Sequence, residues 1–157
     1  MRHGPAEDDA PSGRDFDRRL TVRGRERTER VARALGRRAA PARILCSPLV
    51  RTVETAQVVA AVLALSCEPE LRDELAPGGD AFALWRSAST WTASSHPVLV
   101  VGHEPDLTML TTRLCPSWSG RFDKSMVVAL DLSWPSADAD GPVAQIAFTI
   151  NPKNPDN

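Results

Sequence analysis

The 157-residue chain has few of the features that mark several common protein classes. Its three cysteines, Cys46, Cys67 and Cys115, lie far apart and form no C-x-x-C pair, so reduced thiols are expected rather than a disulfide framework or a zinc knuckle. No apolar run approaches the ~20 residues that cross a bilayer, and no basic-then-apolar signal segment opens the chain. Lys+Arg number 19 and Asp+Glu 20, a balance that argues against a nucleic-acid-binding protein. We expect a cytoplasmic protein with no membrane or nucleic-acid partner.

The rest of the composition is that of an ordinary globular chain. Hydrophobic residues make up 42% and charged residues 25%, both near the globular average. The length suits one domain, and no repeat or linker divides it. We therefore predict a single domain over residues 1–150. The Asn- and Pro-rich residues 151–157 are expected to form a flexible tail.

Helix and strand patterns alternate along the chain. Thr21 can cap a helix, Ser47-Pro48 has the residue types of another helix start, and the continuous apolar run at 97–101 is typical of a buried strand. We predict helices over about residues 22–39, 48–65, 81–91 and 105–114, and strands over residues 43–46, 97–101, 125–132 and 143–150. This alternation predicts a three-layer α/β/α sandwich with a mainly parallel central sheet. Ligands bind at the carboxyl ends of the strands in such sheets.

Three segments at the expected strand ends carry residues suited to a phosphoryl group. Arg2-His3-Gly4 opens the chain, residues 47–52 with Arg51 follow the first strand, and Gly102-His103 follows the strand at 97–101. Guanidinium groups bind phosphate oxygens bidentately, and helix N-termini favour anions. A neutral imidazole is a nucleophile near neutral pH. Brought together at one sheet edge, these segments predict a site for a phosphoryl group.

These segments make the chain similar to the histidine phosphatase superfamily, which has the phosphoglycerate-mutase-like fold. Within it, the chain most resembles the short phosphohistidine phosphatases of the SixA type. The matching segments run in the family's order: R-H-G at 2–4, D-R-R-L-T-V-R-G at 17–24 with Arg19 in place of the group's Pro, S-P-L-V-R-T-V-E-T-A at 47–56, E-L-A-P-G-G-D at 74–80 and V-G-H-E-P-D-L at 101–107. The chain has little room for the long segments that cap the site in larger members, so a minimal fold with an open site is implied.

The resemblance also implies a mechanism. His3 would be the nucleophile and form a transient phosphohistidine. Arg2, Arg51 and His103 would bind the phosphoryl oxygens and stabilise the charge on them, which calls for different protonation states in the two histidines. No metal or other cofactor is implied, and His96, in a Ser-Ser-His-Pro turn, is expected at the surface.

The resemblance leaves the general acid open. Larger relatives use a carboxylate to protonate the leaving oxygen. Glu74 is the first candidate here because of its motif and its loop position, followed by Asp17 and Asp80, although Asp80 could instead cap the next helix. The N–P bond of a phosphohistidine is reactive and needs less help from an acid than an alkyl phosphate does.

The start of the chain departs from the family pattern. Family members place an apolar strand directly before Arg-His-Gly, and here only Met1 precedes it. The first strand is therefore expected to be missing or truncated.

Three functions fit these residues. The first is a phosphohistidine phosphatase acting on a phosphorylated protein. The second is a phosphatase of small phosphomonoesters or nucleotides with the same catalytic residues. The third is a non-catalytic module that binds phosphate.

Overall fold

The computed structural model describes residues 1–86, 96–133 and 143–156. It is an α/β sandwich. Within the described ranges the helices are α1 (Val22–Arg38), α2 (Val50–Val62), α3 (Ala81–Arg86) and α4 (Asp106–Leu114), with 3-10 helices at Asp15–Asp17 and Asp73–Leu75. The strands are β1 (Arg43–Cys46), β2 (Glu70–Leu71), β3 (Val98–Val101), β4 (Val127–Ser133) and β5 (Val143–Ile150). None of the helices in these ranges is long and apolar enough to cross a bilayer.

Two groups of strands form the central layer. Strands β2, β1 and β3 lie side by side in that order and are all parallel. Strands β4 and β5 form an antiparallel pair, with Val127 opposite Ile150 and a register shift between Ala129 and Leu130. The predicted parallel sheet is confirmed for β1 and β3, and β2 adds a short third strand that the sequence patterns did not indicate.

The first residues of the chain join the two groups. Arg2 forms a parallel bridge with Gly102, just beyond β3, because Gly102 donates to Met1 O and His3 donates to Gly102 O, both at 3.1 Å. On the other side, Arg2 N donates to Met126 O at 3.1 Å, next to the start of β4. The first residues of the chain thus lie between β3 and β4, in the place of the first strand, which the sequence patterns predicted to be missing or truncated.

Helices cover both faces of this layer. Val31 and Leu35 of α1 and Val59 of α2 pack against Ile44 and Val101 in the main core. Because side chains alternate across a strand, the intervening Leu45 faces the other way and packs with Leu75 and Leu84. Thr21 caps α1 as predicted, since its hydroxyl accepts a hydrogen bond from Gly24 N.

Helix α2 differs from the prediction at both ends. It begins at Val50 rather than at Pro48, because Ser47 N donates to Val101 O and so still belongs to the sheet. The helix ends at Val62 rather than near residue 65, because Ala64 adopts a left-handed backbone conformation with a φ of 50°, which does not continue a right-handed helix.

A cavity of about 450 Å³ lies on the other side of Met1 from Gly4. Its walls include β3 from Val98 to Val100, β4 from Val127 to Leu132 and apolar side chains of α4. The amino group of Met1 is buried beside it and donates to Val100 O at 2.7 Å. Burial lowers the pKa of this amino group from 8.0 to about 5. The cavity thus lies beside Met1 and against both β3 and β4.

Candidate active site

The three segments singled out in the sequence meet at the carboxyl end of β3. His3 and His103 are both buried, and their ring centroids are 5.1 Å apart at an angle of 53°. Ser47, at the end of β1, lies within hydrogen-bond distance of His103. The two imidazoles thus face one small volume at the edge of the sheet.

The protonation of His3 follows from its hydrogen bond. Nδ1 lies 2.7 Å from Gly4 O, and a carbonyl oxygen can only accept, so Nδ1 carries the proton. Burial and the charges of Arg51, Arg2 and Lys124 lower the pKa of His3 from 6.5 to about 4, against the raising effect of the Gly4 bond. The ring is neutral at pH 7, and its Nε2 holds a free lone pair. That is the form a nucleophilic histidine requires.

Close packing around Gly4 holds His3 in place. A Cβ at Gly4 would lie 2.6 Å from Thr28 Oγ1, and a Cβ at Gly24 would lie 1.9 Å from Pro5 O. Only glycine allows α1 to approach the Arg-His-Gly segment this closely. Gly4 N donates to Thr55 Oγ1 at 3.0 Å, which ties the segment to α2 as well.

The Arg51 side chain is buried and fully oriented. Its two terminal nitrogens bind Asp15: one donates to the backbone oxygen at 2.8 Å, and the other to the carboxylate at 3.0 Å. The backbone oxygen of Arg51 accepts from Thr55 Oγ1 at 2.6 Å. Thr55 thus binds the Arg51 backbone and Gly4, so the same threonine positions the guanidinium-bearing helix and the segment that carries His3.

Arg2 is held by a different loop. Its guanidinium donates to Phe122 O at 2.8 Å, and the Phe122 amide in turn donates to Glu104 Oε1 at 2.8 Å. The buried Nε of Arg2 has no hydrogen-bond partner within the described ranges. A buried N–H without a partner is costly, and an anion can satisfy it. Because Phe122 binds Arg2 through its carbonyl and Glu104 through its amide, Glu104 positions Arg2 through Phe122.

His103 differs from the expectation that the two histidines have separate protonation states. Burial, followed by the charges of His3 and Arg51, lowers the pKa of His103 from 6.5 to about 3. Both rings are therefore neutral at pH 7. His103 Nε2 shares a hydrogen bond of 2.9 Å with the buried Ser47 hydroxyl, which fixes the orientation of the ring.

The candidate general acids lie in three different places. Glu74 is in the 3-10 helix Asp73–Leu75, and no bond from it to the two histidines is found in the described chain. Asp17 is bound by Ser12 and Arg14. The carboxylate of Asp80 accepts from Ala83 N at 2.9 Å, so it caps α3 as the alternative interpretation held.

Three residues that the sequence analysis did not assign to the site belong to it. Asp15 binds Arg51, Ser47 orients His103, and the charge of Lys124 acts on His3. The prediction that Ser47 caps α2 is wrong, because Leu49 is the N-cap and makes no side-chain cap bond, and the Ser47 hydroxyl binds His103 instead. Asp15 lies in the 3-10 helix Asp15–Asp17 and Lys124 in a turn, and neither is part of a motif that predicted the site.

Comparisons with known proteins agree with this geometry. A profile of the histidine phosphatase superfamily (branch 1) matches residues 1–76. The phosphohistidine phosphatase SixA of Escherichia coli is 35% identical over 118 residues, which cover 74% of this chain and 72% of that protein. An uncharacterized protein of Picosynechococcus is 41% identical over 109 residues, 68% of this chain and 66% of that one, so the chain spans just under two thirds of that relative's length.

A comparison of folds also finds a histidine phosphatase. A solved structure of the protein histidine phosphatase SixA complexed with tungstate superposes with a TM-score of 0.84 and 28% identity, covering 98% of this chain and 95% of that one.

Proposed function

Because the chain belongs to the histidine phosphatase superfamily, we propose that it hydrolyses phosphohistidine on a protein through a covalent intermediate on His3. As a SixA-like member of this superfamily it is a phosphatase, a hydrolase that transfers a phosphoryl group to water. The observation that carries the proposal is the bond from His3 Nδ1 to Gly4 O, because it leaves Nε2 free to attack.

The reaction then has two steps at one nitrogen. In the first, the lone pair of His3 Nε2 attacks phosphorus, the bond from phosphorus to the substrate nitrogen breaks, and that nitrogen takes up a proton from solvent. In the second, water attacks the same phosphorus and gives one proton back to solvent, the bond to Nε2 breaks, and hydrogen phosphate leaves with His3 neutral again. A ring that is already neutral at pH 7 needs no base to activate it.

Arg2, Arg51 and His103 supply the charge and hydrogen bonds that the phosphoryl oxygens need. Guanidinium forks match phosphate oxygens in geometry and charge, and the Nε of Arg2 is a buried donor ready for such a partner. A phosphoryl dianion beside His103 raises the pKa of that ring, because an opposite charge favours the protonated form. His103, already fixed by Ser47, becomes the better hydrogen-bond donor in that state.

A protein substrate is favoured by the small size of the chain around the site. Between the end of α2 and Asp80 there are only β2 and one 3-10 helix, and no long insertion is present there to enclose a small molecule. Within the described chain, none of the candidate general acids contacts the two histidines. The N–P bond of a phosphohistidine needs little help from an acid, so a phosphohistidine substrate suits this site.

Trapping the intermediate tests the mechanism. Wild type, His3→Ala and the control His96→Ala are mixed with labelled phosphohistidine protein, p-nitrophenyl phosphate and a sugar phosphate, then quenched. We expect base-stable, acid-labile label on His3 in wild type and in His96→Ala, and a loss of turnover of at least about 10³-fold in His3→Ala with an unchanged circular dichroism spectrum. Faster turnover of the small esters would instead favour a phosphomonoesterase, and phosphate binding without turnover would favour a non-catalytic module.

The role of Glu74 is tested by Glu74→Gln, which removes a proton donor and keeps the shape. We propose that Glu74 is the general acid, so the rate with p-nitrophenyl or alkyl phosphates should fall, by about 10²-fold for the poorer alkyl leaving group, and much less with phosphohistidine. The exposed Glu68→Gln serves as the matched control. No change with either substrate would remove Glu74 from the site, and Asp17→Asn would be tested next.

A further inference from the structure

We propose that Asp15 is an internal competitor of the phosphoryl group: its carboxylate occupies Arg51 in the free enzyme and is displaced when phosphate binds. The inference rests on the proposed function of Arg51 as a phosphoryl ligand. It gives a role in setting phosphate affinity and product release to a residue outside the motifs that mark the site.

The first support is the unequal burial of the two partners. The Arg51 side chain is 6% exposed, while that of Asp15 is 59% exposed. Both terminal nitrogens of the guanidinium are taken by Asp15, one by its backbone and one by its carboxylate. Water can replace the guanidinium as the partner of the exposed carboxylate. The buried guanidinium needs another anion in place of Asp15, and a phosphoryl group supplies one.

The second support is that Asp15 already has a second cationic partner, Arg18. Arg18 donates to the other carboxylate oxygen of Asp15 at 2.7 Å, and Arg18 is itself anchored by a 2.6 Å bond to Glu7 O. The Arg18 and Arg51 bonds hold the pKa of Asp15 below its usual value of 3.8, so it is an anion at neutral pH. When a phosphoryl group takes Arg51, the carboxylate keeps Arg18, and the exchange leaves no charge unpaired.

Internal competition has a simple thermodynamic consequence. A ligand that binds only when Asp15 has left Arg51 shows a dissociation constant increased by the reciprocal of the fraction of molecules in that open state. The same factor weakens the binding of the product phosphate. Asp15 therefore lowers product inhibition, because it returns to Arg51 as phosphate leaves.

The experiment measures phosphate binding by calorimetry, above the second pKa of phosphate, for wild type and Asp15→Asn. The amide keeps the shape of the side chain and removes the charge that binds Arg51. We expect inorganic phosphate to bind about three- to tenfold more tightly to Asp15→Asn. The matched control is Asp9→Asn, which makes the same charge change at an exposed residue of the same N-terminal region. Its phosphate affinity should equal that of wild type.

A second arm separates direct competition from a general charge effect. In an Arg51→Ala background, Asp15→Asn should leave phosphate affinity unchanged, because the competitor has lost its target. An equal gain in Asp15→Asn and Asp9→Asn, a gain that persists without Arg51, or weaker binding in Asp15→Asn would each overturn the inference. If Arg51→Ala alone does not weaken phosphate binding, the proposed role of Arg51 fails as well.

Discussion

The two ends of the N-terminal segment, Met1 to Gly4, contrast sharply. At the Gly4 end, the backbone of His3 is bonded to both neighbouring elements, with His3 N donating to Gly102 O and Ser125 N donating to His3 O. At the Met1 end, the backbone is bonded to Val100 and Gly102, both on the β3 side, and the residue also lines a cavity of about 450 Å³ with apolar side chains in its walls. The backbone of His3 thus has partners on both sides, whereas Met1 lies against a cavity.

This contrast separates two requirements that a central strand usually meets together. The catalytic geometry depends on the few residues that carry His3 and on the loops that reach them. The stability of the sheet depends on how much apolar surface the rest of the strand buries. In residues 1–4 the bonds of His3 meet the first requirement, and Met1 is the member of the main core.

The largest effect is expected from a substitution of Arg51, which Thr55 connects to the Gly4 end of the segment. Arg51→Ala should weaken phosphate binding by about 10²-fold, because a buried, charge-assisted bidentate contact is lost. Arg51→Lys should recover only part of this, since an ammonium group cannot fork. Calorimetry with phosphate measures both, with the exposed Arg33→Ala as control. Equal affinity in wild type and Arg51→Ala would show that Arg51 does not bind the anion.

A smaller effect is expected when residues are added before Met1. Three apolar residues placed before Met1, compared with Ser-Gly-Ser, should raise the free energy of unfolding by about 2 kcal/mol through added apolar burial. They also replace the buried amino group by an amide that cannot titrate. Chemical denaturation of both variants and the parent protein measures the change, and equal stability of the two extensions would show that the gap does not accept a strand.

The same comparison predicts a pH dependence. Burial lowers the pKa of the Met1 amino group from 8.0 to about 5, so the unfolded chain takes up a proton as the pH falls below 8 and the folded chain does not. Stability should therefore fall by about 2 kcal/mol between pH 8 and 6.5. Below 6.5 the buried histidines add losses of the same sign, because their folded pKa values are also lowered. The apolar extension should abolish the slope between pH 8 and 6.5.

The smallest effect concerns the orientation of one ring at the Gly4 end. Ser47→Ala removes the hydroxyl that bonds His103 Nε2 and leaves the backbone bond from Ser47 N to Val101 O in place. We expect kcat to fall about tenfold with little change in stability, and Ser47→Thr to restore part of it. A kcat equal to that of wild type, or a loss explained by unfolding in a thermal melt, would contradict the positioning role.

Local patterns predicted the parts of the molecule that depend on neighbours in sequence. The cap at Thr21 and the strand Arg43–Cys46 are as expected, because a hydroxyl before a helix and an apolar run each determine nearby backbone. The start of α2 was wrong by two residues, because the bond from Ser47 to Val101 spans 54 positions. The pairing of Asp15 with Arg51 spans 36 positions, and no periodicity or motif encodes it. The predicted helix near residues 81–91 is observed from Ala81 to Arg86, and its remainder lies outside the described residues.

The backbone bonds of His3 also connect the parallel strands to the antiparallel hairpin. One of its backbone partners, Gly102, directly follows the parallel strand β3, and the other, Ser125, lies just before the antiparallel strand β4. A fluctuation that separates the two groups of strands breaks the backbone bonds that position His3. The cavity beside Met1 lowers the free energy that such a local opening requires. On heating, activity should therefore disappear at a lower temperature than helical circular dichroism, as expected when a locally unstable unit opens before the whole fold.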